Sequence, residues 1–142
     1  MSRIFLDTNL LVYLYDDDSP LKQRRAMELL DRFEQQPTAD VAVISTQVLQ
    51  ELYNILTRKL RDSPVQAKKK LLKWAKVEIV GVSRVIVLAA ADLHASDAIS
   101  FWDALIVAAA QAGGCDELWT EDLQEGRSFG ALVVRNPFAG MA

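Results

Sequence analysis

Three acidic residues stand where an apolar stretch stops. Ile4-Phe5-Leu6 runs into Asp7, Asp103 heads a long apolar run that begins at Phe101, and Leu118-Trp119-Thr120 leads to Glu121 and Asp122. Carboxylates gathered from distant segments repel one another and raise each other's pKa, a cost that a bound cation removes. A shared pocket of such acids therefore implies a divalent metal. The chain has one histidine, His94, and one cysteine, Cys115, so the ligands would be oxygens. Oxygen ligands select hard cations such as Mg²⁺ or Mn²⁺. A metal held there activates water and stabilises the charge of an in-line attack on phosphate. Glu51 is a candidate fourth member of the pocket.

Each acid also has a plainer reading. Asp7 equally suits the N-cap of a helix starting at Thr8 or Asn9. Ser100 and Asp103 fit a capping box, the better reading of Asp103 taken alone. That helix, however, is apolar all round, through Phe101, Trp102, Leu105, Ile106, Val107 and the alanines 108–110, and such a helix is buried. An acid in its first turn lies at a pocket floor or pairs with a cation, and capping and metal binding are compatible. Glu51 lies about 40° outside the stripe formed by Val48, Leu49, Leu52, Ile55, Leu56 and Leu60, and a solvated Glu is its default reading. Asp122 taken singly is an ordinary first-turn acid after Thr120, and spacing alone leaves Glu121 as its rival.

Short apolar runs separated by helical patterns position these acids. Strands are expected at 3–6, 41–44, 77–82, 117–119 and 131–134. Helices are expected at 9–15, 20–35, 46–60, 64–76, 84–95 and 100–112, the last closed by Gly113-Gly114. Residues 37–40 read as a loop. Alternation of this kind argues for a parallel sheet covered by helices, with ligands beyond the carboxyl ends of its strands. Asp7 and Asp122 both fall just past strand ends.

A chain of 142 residues with 51% hydrophobic content is expected to form one domain, 1–142. No apolar run has transmembrane length, and Asp7 arrives before a signal peptide's apolar core could form, so no membrane association is expected. The lone cysteine excludes an intrachain disulfide and points to the cytoplasm. The net charge of −3 hides an asymmetry: residues 58–76 carry eight Lys/Arg against Asp62, or +7, leaving −10 on the rest. Helix 64–76 reads as amphipathic, with Val65, Leu71, Leu72, Trp74 and Ala75 on one side and Lys69, Lys70, Lys73 and Lys76 on the other. A solvated face is the usual meaning of such lysines, and steering of a phosphate-bearing anionic polymer is the functional one. Asp16-Asp17-Asp18 reads as a solvated turn and helix start. Cys115 reads as a packed small residue, and His94 suits a helix C-terminus. The three tryptophans read as core or interface, with base stacking the lesser alternative.

At the acidic positions the sequence resembles the PIN-domain ribonucleases, and among them the VapC-like toxins of type II toxin–antitoxin pairs. The matching segments are Leu6-Asp7-Thr8-Asn9, Gln47 to Glu51, Ser100 to Ile106, Thr120-Glu121-Asp122-Leu123 with Gly126, and Asn136-Pro137-Phe138. They occur in order along nearly the whole chain. The resemblance implies a PIN-like three-layer α/β/α fold with a parallel sheet of about five strands. It implies metal-dependent hydrolysis of RNA phosphodiester bonds, with Asp7, Glu51, Asp103 and Asp122 as ligands of Mg²⁺ or Mn²⁺, directly or through water. Asn9 and Thr120 would support the site by hydrogen bonds. A cognate antitoxin and a homodimer are the implied protein partners.

Two other classes compete. A phosphoacceptor receiver domain would need adjacent acids after its first strand and a late lysine, whereas Asp-Thr-Asn follows here and no lysine follows Lys76. A catalytically inactive PIN-like module that only binds protein or RNA would gain nothing from a pocket of acids. A Mn²⁺ titration separates it from an enzyme.

Overall fold

The computed structural model describes residues 2–35 and 40–141. Its centre is a six-stranded sheet of β1 (Ser2–Leu6), β2 (Asp40–Ser45), β3 (Glu78–Val80), β4 (Glu117–Trp119), β5 (Ser128–Phe129) and β6 (Leu132–Arg135), in the order β3-β2-β1-β4-β6-β5. All neighbours are parallel except β5 and β6. The helices are α1 (Thr8–Tyr13), α2 (Pro20–Gln35), α3 (Thr46–Arg58), α4 (Pro64–Trp74), α5 (Arg84–Asp97) and α6 (Phe101–Ala112). This is the expected helix-covered parallel sheet, with one strand more than the five anticipated.

The extra strand is β5. Two residues are too short to carry an alternating pattern, and Ser128–Phe129 pairs only with Leu132 and Val133 across the turn Gly130-Ala131. Gly130 has φ +62°, the left-handed conformation that tight hairpin turns need. Accordingly the last strand begins at Leu132 rather than residue 131. The expected loop at 37–39 lies outside the described residues, and Asp40 already belongs to β2.

The core explains the central strands. Ile4, Phe5, Leu6, Val43, Ile44, Leu118 and Val134 are buried, as continuous apolar runs covered on both faces should be. Residues 104–110 of α6 are buried throughout. Helix α4 departs from expectation. Its buried residues are Ala67 and Trp74, with Lys70 and Leu71 half-buried between them, while Val65, Leu72 and Ala75 are exposed. The spacing 67, 70, 71, 74 is a narrow helical stripe, and the Lys70 stem belongs to it: its ammonium pairs with Asp62 at 2.8 Å and sits over the Tyr15 ring. Among the described residues no helix is long and apolar enough to cross a membrane.

Strand β1 has β2 on one side and β4 on the other, so the strand order reverses beside it. That reversal opens a crevice at the carboxyl edge of an α/β sheet. Leu6 is level with Trp119, and the Asp7 amide continues the ladder by donating to the Trp119 carbonyl at 3.0 Å. Asp7 and Thr120 therefore emerge side by side.

Candidate active site

A cavity of about 300 Å³ opens at this edge, lined among others by Asp7, Asn9, Glu51, Asp103 and Asp122. Four separate connections deliver the acids: Asp7 leaves β1, Glu51 rides on α3 behind β2, Asp103 stands in the first turn of α6, and Asp122 follows β4. Thr120, fully buried, lies beneath them.

Asp7 serves both of its readings. As N-cap of α1 it accepts from the Thr8 amide at 2.7 Å through Oδ1, and through Oδ2 it accepts from the Thr120 hydroxyl at 2.7 Å. Burial pushes its pKa up to about 7 against the pull of those two hydrogen bonds, and the charges of Asp122 and Glu51 add to the rise. Thr120 Oγ1 in turn accepts from the Asp122 amide at 3.0 Å and from Asn9 Nδ2 at 3.4 Å. Asn9 Nδ2 also donates to Asp122 Oδ2 at 3.1 Å. One hydroxyl and one amide thus knit the two strand ends together.

Glu51 is half-buried, facing the pocket rather than bulk solvent, and accepts from Thr8 Oγ1 at 3.2 Å. Burial raises its pKa, and Asp122 and Asp103 raise it further. Asp122 is likewise held up, first by burial and then by Asp103. Asp103 shows half a capping box: its amide donates to Ser100 Oγ at 3.1 Å. Among the described residues its carboxylate makes no return bond, which leaves it to the pocket.

Glu121 is otherwise engaged. It accepts a hydrogen bond from the Tyr13 hydroxyl and pairs with Lys22 at 2.9 Å. Lys22 also sits over the rings of Tyr13 and Phe138, and Phe138 packs edge-on against Tyr13 at 5.0 Å. The segment Asn136-Pro137-Phe138 thereby braces the wall that holds Glu121, with Asn136 Oδ1 fixing the Phe138 amide at 2.9 Å. Glu121 borders the cavity as a neutralised group, and Asp122 carries the uncompensated charge.

Several pocket residues escaped the sequence reading: Thr8, Tyr13, Asp16, Gln47, Lys59 and Trp102. Gln47 stands four residues before Glu51, a spacing that signals a shared helix face. Asp16 is buried, not solvated; its carboxylate accepts from the Asp18 amide at 3.1 Å and Ser19 Oγ at 3.3 Å and so shapes the turn into α2. Asp17 and Asp18 are exposed as expected. Lys69, Lys70, Lys73 and Lys76 do not line this cavity. Lys73 and Lys76 instead border a larger, mostly apolar groove of about 680 Å³ that includes Leu30, Phe33 and Trp74. Cys115 is buried, with its thiol pushed up to about 11 by that burial, and His94 Nδ1 donates to the Ile99 carbonyl at 2.7 Å.

The donor set suits a hard cation on grounds independent of the acids. Asn9 Oδ1 and Gln47 Oε1 both belong to the pocket, both are buried, and among the described residues neither has a hydrogen-bond donor. Unmatched buried acceptors beside mutually repelling carboxylates fit a positive ion or its bound water. Among the described residues, no three acidic, His or Cys side chains converge closely enough to hold an ion by themselves.

The profile of the PIN domain family matches residues 4–124, and the chain belongs to that family. Its solved structural relatives include VapBC2 of Rickettsia felis bound to a promoter DNA fragment, at 21% identity and TM-score 0.68 over 94% of this chain and 98% of that one. DNA-bound VapBC of Salmonella typhimurium aligns at 17% identity and TM-score 0.68, over 96% and 99% of the two chains. VapC20 of Mycobacterium tuberculosis, a sarcin–ricin-loop-cleaving toxin, aligns at 19% and 0.64, over 81% and 86%. No curated protein matches the chain by sequence.

Proposed function

We propose that this chain is a divalent-metal-dependent endoribonuclease, the toxin of a toxin–antitoxin pair, acting in the cytoplasm. The observation that carries the reading is the convergence of Asp7, Glu51, Asp103 and Asp122 on one cavity, where burial first and neighbouring carboxylates second raise the pKa of Asp7, Glu51 and Asp122. Asp7, Glu51, Asp103 and Asp122 would hold Mg²⁺ or Mn²⁺, partly through water. When bound, the ion supplies an activated water and offsets the charge that builds on phosphate.

The residues of the chain do the rest. Thr120 fixes the Asp7 carboxylate from below, and Asn9 orients Asp122, so two acids keep one separation through the reaction. Thr8 does the same for Glu51. The apolar body of α6 keeps water from the pocket floor, which strengthens each electrostatic contact there. Lys69, Lys70, Lys73 and Lys76 can act only on RNA that extends well beyond the cavity.

The structural relatives support an antitoxin partner, because several were solved as toxin–antitoxin complexes. A homodimer is supported by α5, where Val85 and Leu88 expose large apolar side chains that a second copy would cover. The decisive experiment incubates purified protein with total RNA in Mn²⁺ or EDTA, beside Asp103→Asn. Discrete new RNA ends that require Mn²⁺ and vanish in the variant are expected. Folded wild-type protein that leaves RNA intact and gains no thermal stability from Mn²⁺ would instead favour the inactive binding module.

A further inference from the structure

Trp102 is 66% exposed, yet it lines the acidic cavity one residue before Asp103. The other two tryptophans differ on both counts. Trp74 and Trp119 are buried, and their indole N–H groups donate to Tyr15 Oη at 3.0 Å and to Glu117 Oε1 at 2.9 Å. Among the described residues the Trp102 indole N–H has no partner. Its place is nevertheless set: Gln47 Nε2 donates to its carbonyl at 3.3 Å, and Phe101 packs against the indole at 5.5 Å and 68°. A flat apolar surface is thus presented to water at the mouth of a charged pocket.

Lys59 lines the same cavity from the end of α3, is exposed, and makes no ion pair among the described residues. It is the cationic side chain among the cavity's lining residues. An aromatic face and a free ammonium flanking the acids match the two halves of a nucleotide, a base with a π-face and a phosphate. Stacking on an aromatic side chain requires a base whose face is uncovered, which a duplex does not offer.

We propose that Trp102 is a substrate-recognition residue: an unpaired base next to the scissile phosphate stacks on its indole while Lys59 meets the adjoining phosphate. This rests on the ribonuclease reading. It commits the enzyme to unpaired RNA and assigns the discrimination to a named side chain. The exposed apolar residues of α5, Val85 and Leu88, do not line this cavity.

The test uses the intact protein and two readouts. The first needs no catalysis. In EDTA, an uncleavable 2′-O-methyl RNA oligonucleotide should quench the tryptophan emission saturably, since Trp102 is the exposed fluorophore, and the same RNA in a duplex should not. Trp102→Phe should abolish the quenching. The second is steady-state cleavage with Mn²⁺. Trp102→Ala should raise KM about tenfold, the loss falling on KM more than on kcat, and Trp102→Phe should recover most of it. Unaltered KM in a folded Trp102→Ala protein that still cleaves RNA would overturn the assignment and leave the ribonuclease reading standing. Conversion of a dimer to a monomer by Trp102→Ala would overturn it in favour of an interface. Wild type that neither cleaves RNA nor is quenched by it would overturn both.

Discussion

Replacing Asp7 by Asn should stabilise the metal-free protein at neutral pH and not at acid pH. The carboxyl is buried and, among the described residues, hydrogen-bonded to Thr8 and Thr120 alone, and its pKa rises from 3.8 to about 7 on folding. Between those values the folded state binds a proton that the unfolded chain has released. Stability from this group therefore falls with rising pH, by about 1.4 kcal/mol per unit, and levels off above about pH 7. Over roughly three units the loss is about 4 kcal/mol. The side-chain amide introduced by the substitution would still accept from the Thr8 N–H, but its NH₂ cannot accept the Thr120 hydroxyl, a pH-independent cost of about 1 kcal/mol. Asp7→Asn should thus be about 1 kcal/mol less stable than wild type at pH 4 and about 3 kcal/mol more stable at pH 8. Urea unfolding of both proteins in EDTA, at half-unit steps across that range, measures the difference. Curves that stay within about 0.5 kcal/mol of each other from pH 4 to 8 would refute the burial argument. So would a variant that loses stability relative to wild type as the pH rises.

The same group makes metal binding compete with protons: Mn²⁺ should raise the melting temperature at pH 8, and the shift should shrink below pH 7, where Asp7 is protonated. Calorimetric titration at the two pH values should show proton release on binding at the lower one. Lys22→Met should cost about 1–3 kcal/mol in denaturant unfolding, because it strands Glu121 with one partner in a largely buried setting. Tyr13→Phe should cost less, since the ion pair survives. Cys115 should resist iodoacetamide at pH 8, where a thiol pushed up to about 11 is on the order of 0.1% ionised, and should react rapidly once urea unfolds the chain.

The elements legible in the sequence are those whose burial is uniform. Strands β1, β2 and β4 are covered on both faces, so their apolar runs announce them, and the run of small and branched residues in α6 does the same. Asp7 and Asp122 stood out as candidates because each follows such a run, and Asp103 because it opens one, whereas Glu51 lies inside α3 beside its apolar stripe and reads as solvated. What was not legible depends on what lies across the gap. The pattern of α4 places Val65 and Leu72 inside, yet no layer covers them, and the Lys70 stem fills the stripe instead. Trp102 belongs to an apolar run by sequence, but the first turn of α6 stands at the cavity mouth with nothing above it. Asp16 looks like its exposed neighbours because the two bonds it makes span only two and three residues. Glu121 and Asp122 look alike by spacing but differ in their partners, because Lys22, which pairs with Glu121, is 99 positions away and spacing cannot reveal it.

The order of the strands also decides when the pocket can exist. Strand β1 is made first, but one of its two neighbours is β4, and Thr120, which holds Asp7, lies beyond β4. The Thr120 amide is anchored in its turn by the carbonyl of Arg135 at the end of β6. Parallel pairing between such distant segments closes long loops and forms late. A chain emerging from the ribosome can pair β1 with β2 and so bring Asp7 towards Glu51 early. A product ending before β4 would have three of the four carboxylates but neither Asp122 nor the Thr120 hydroxyl that holds Asp7.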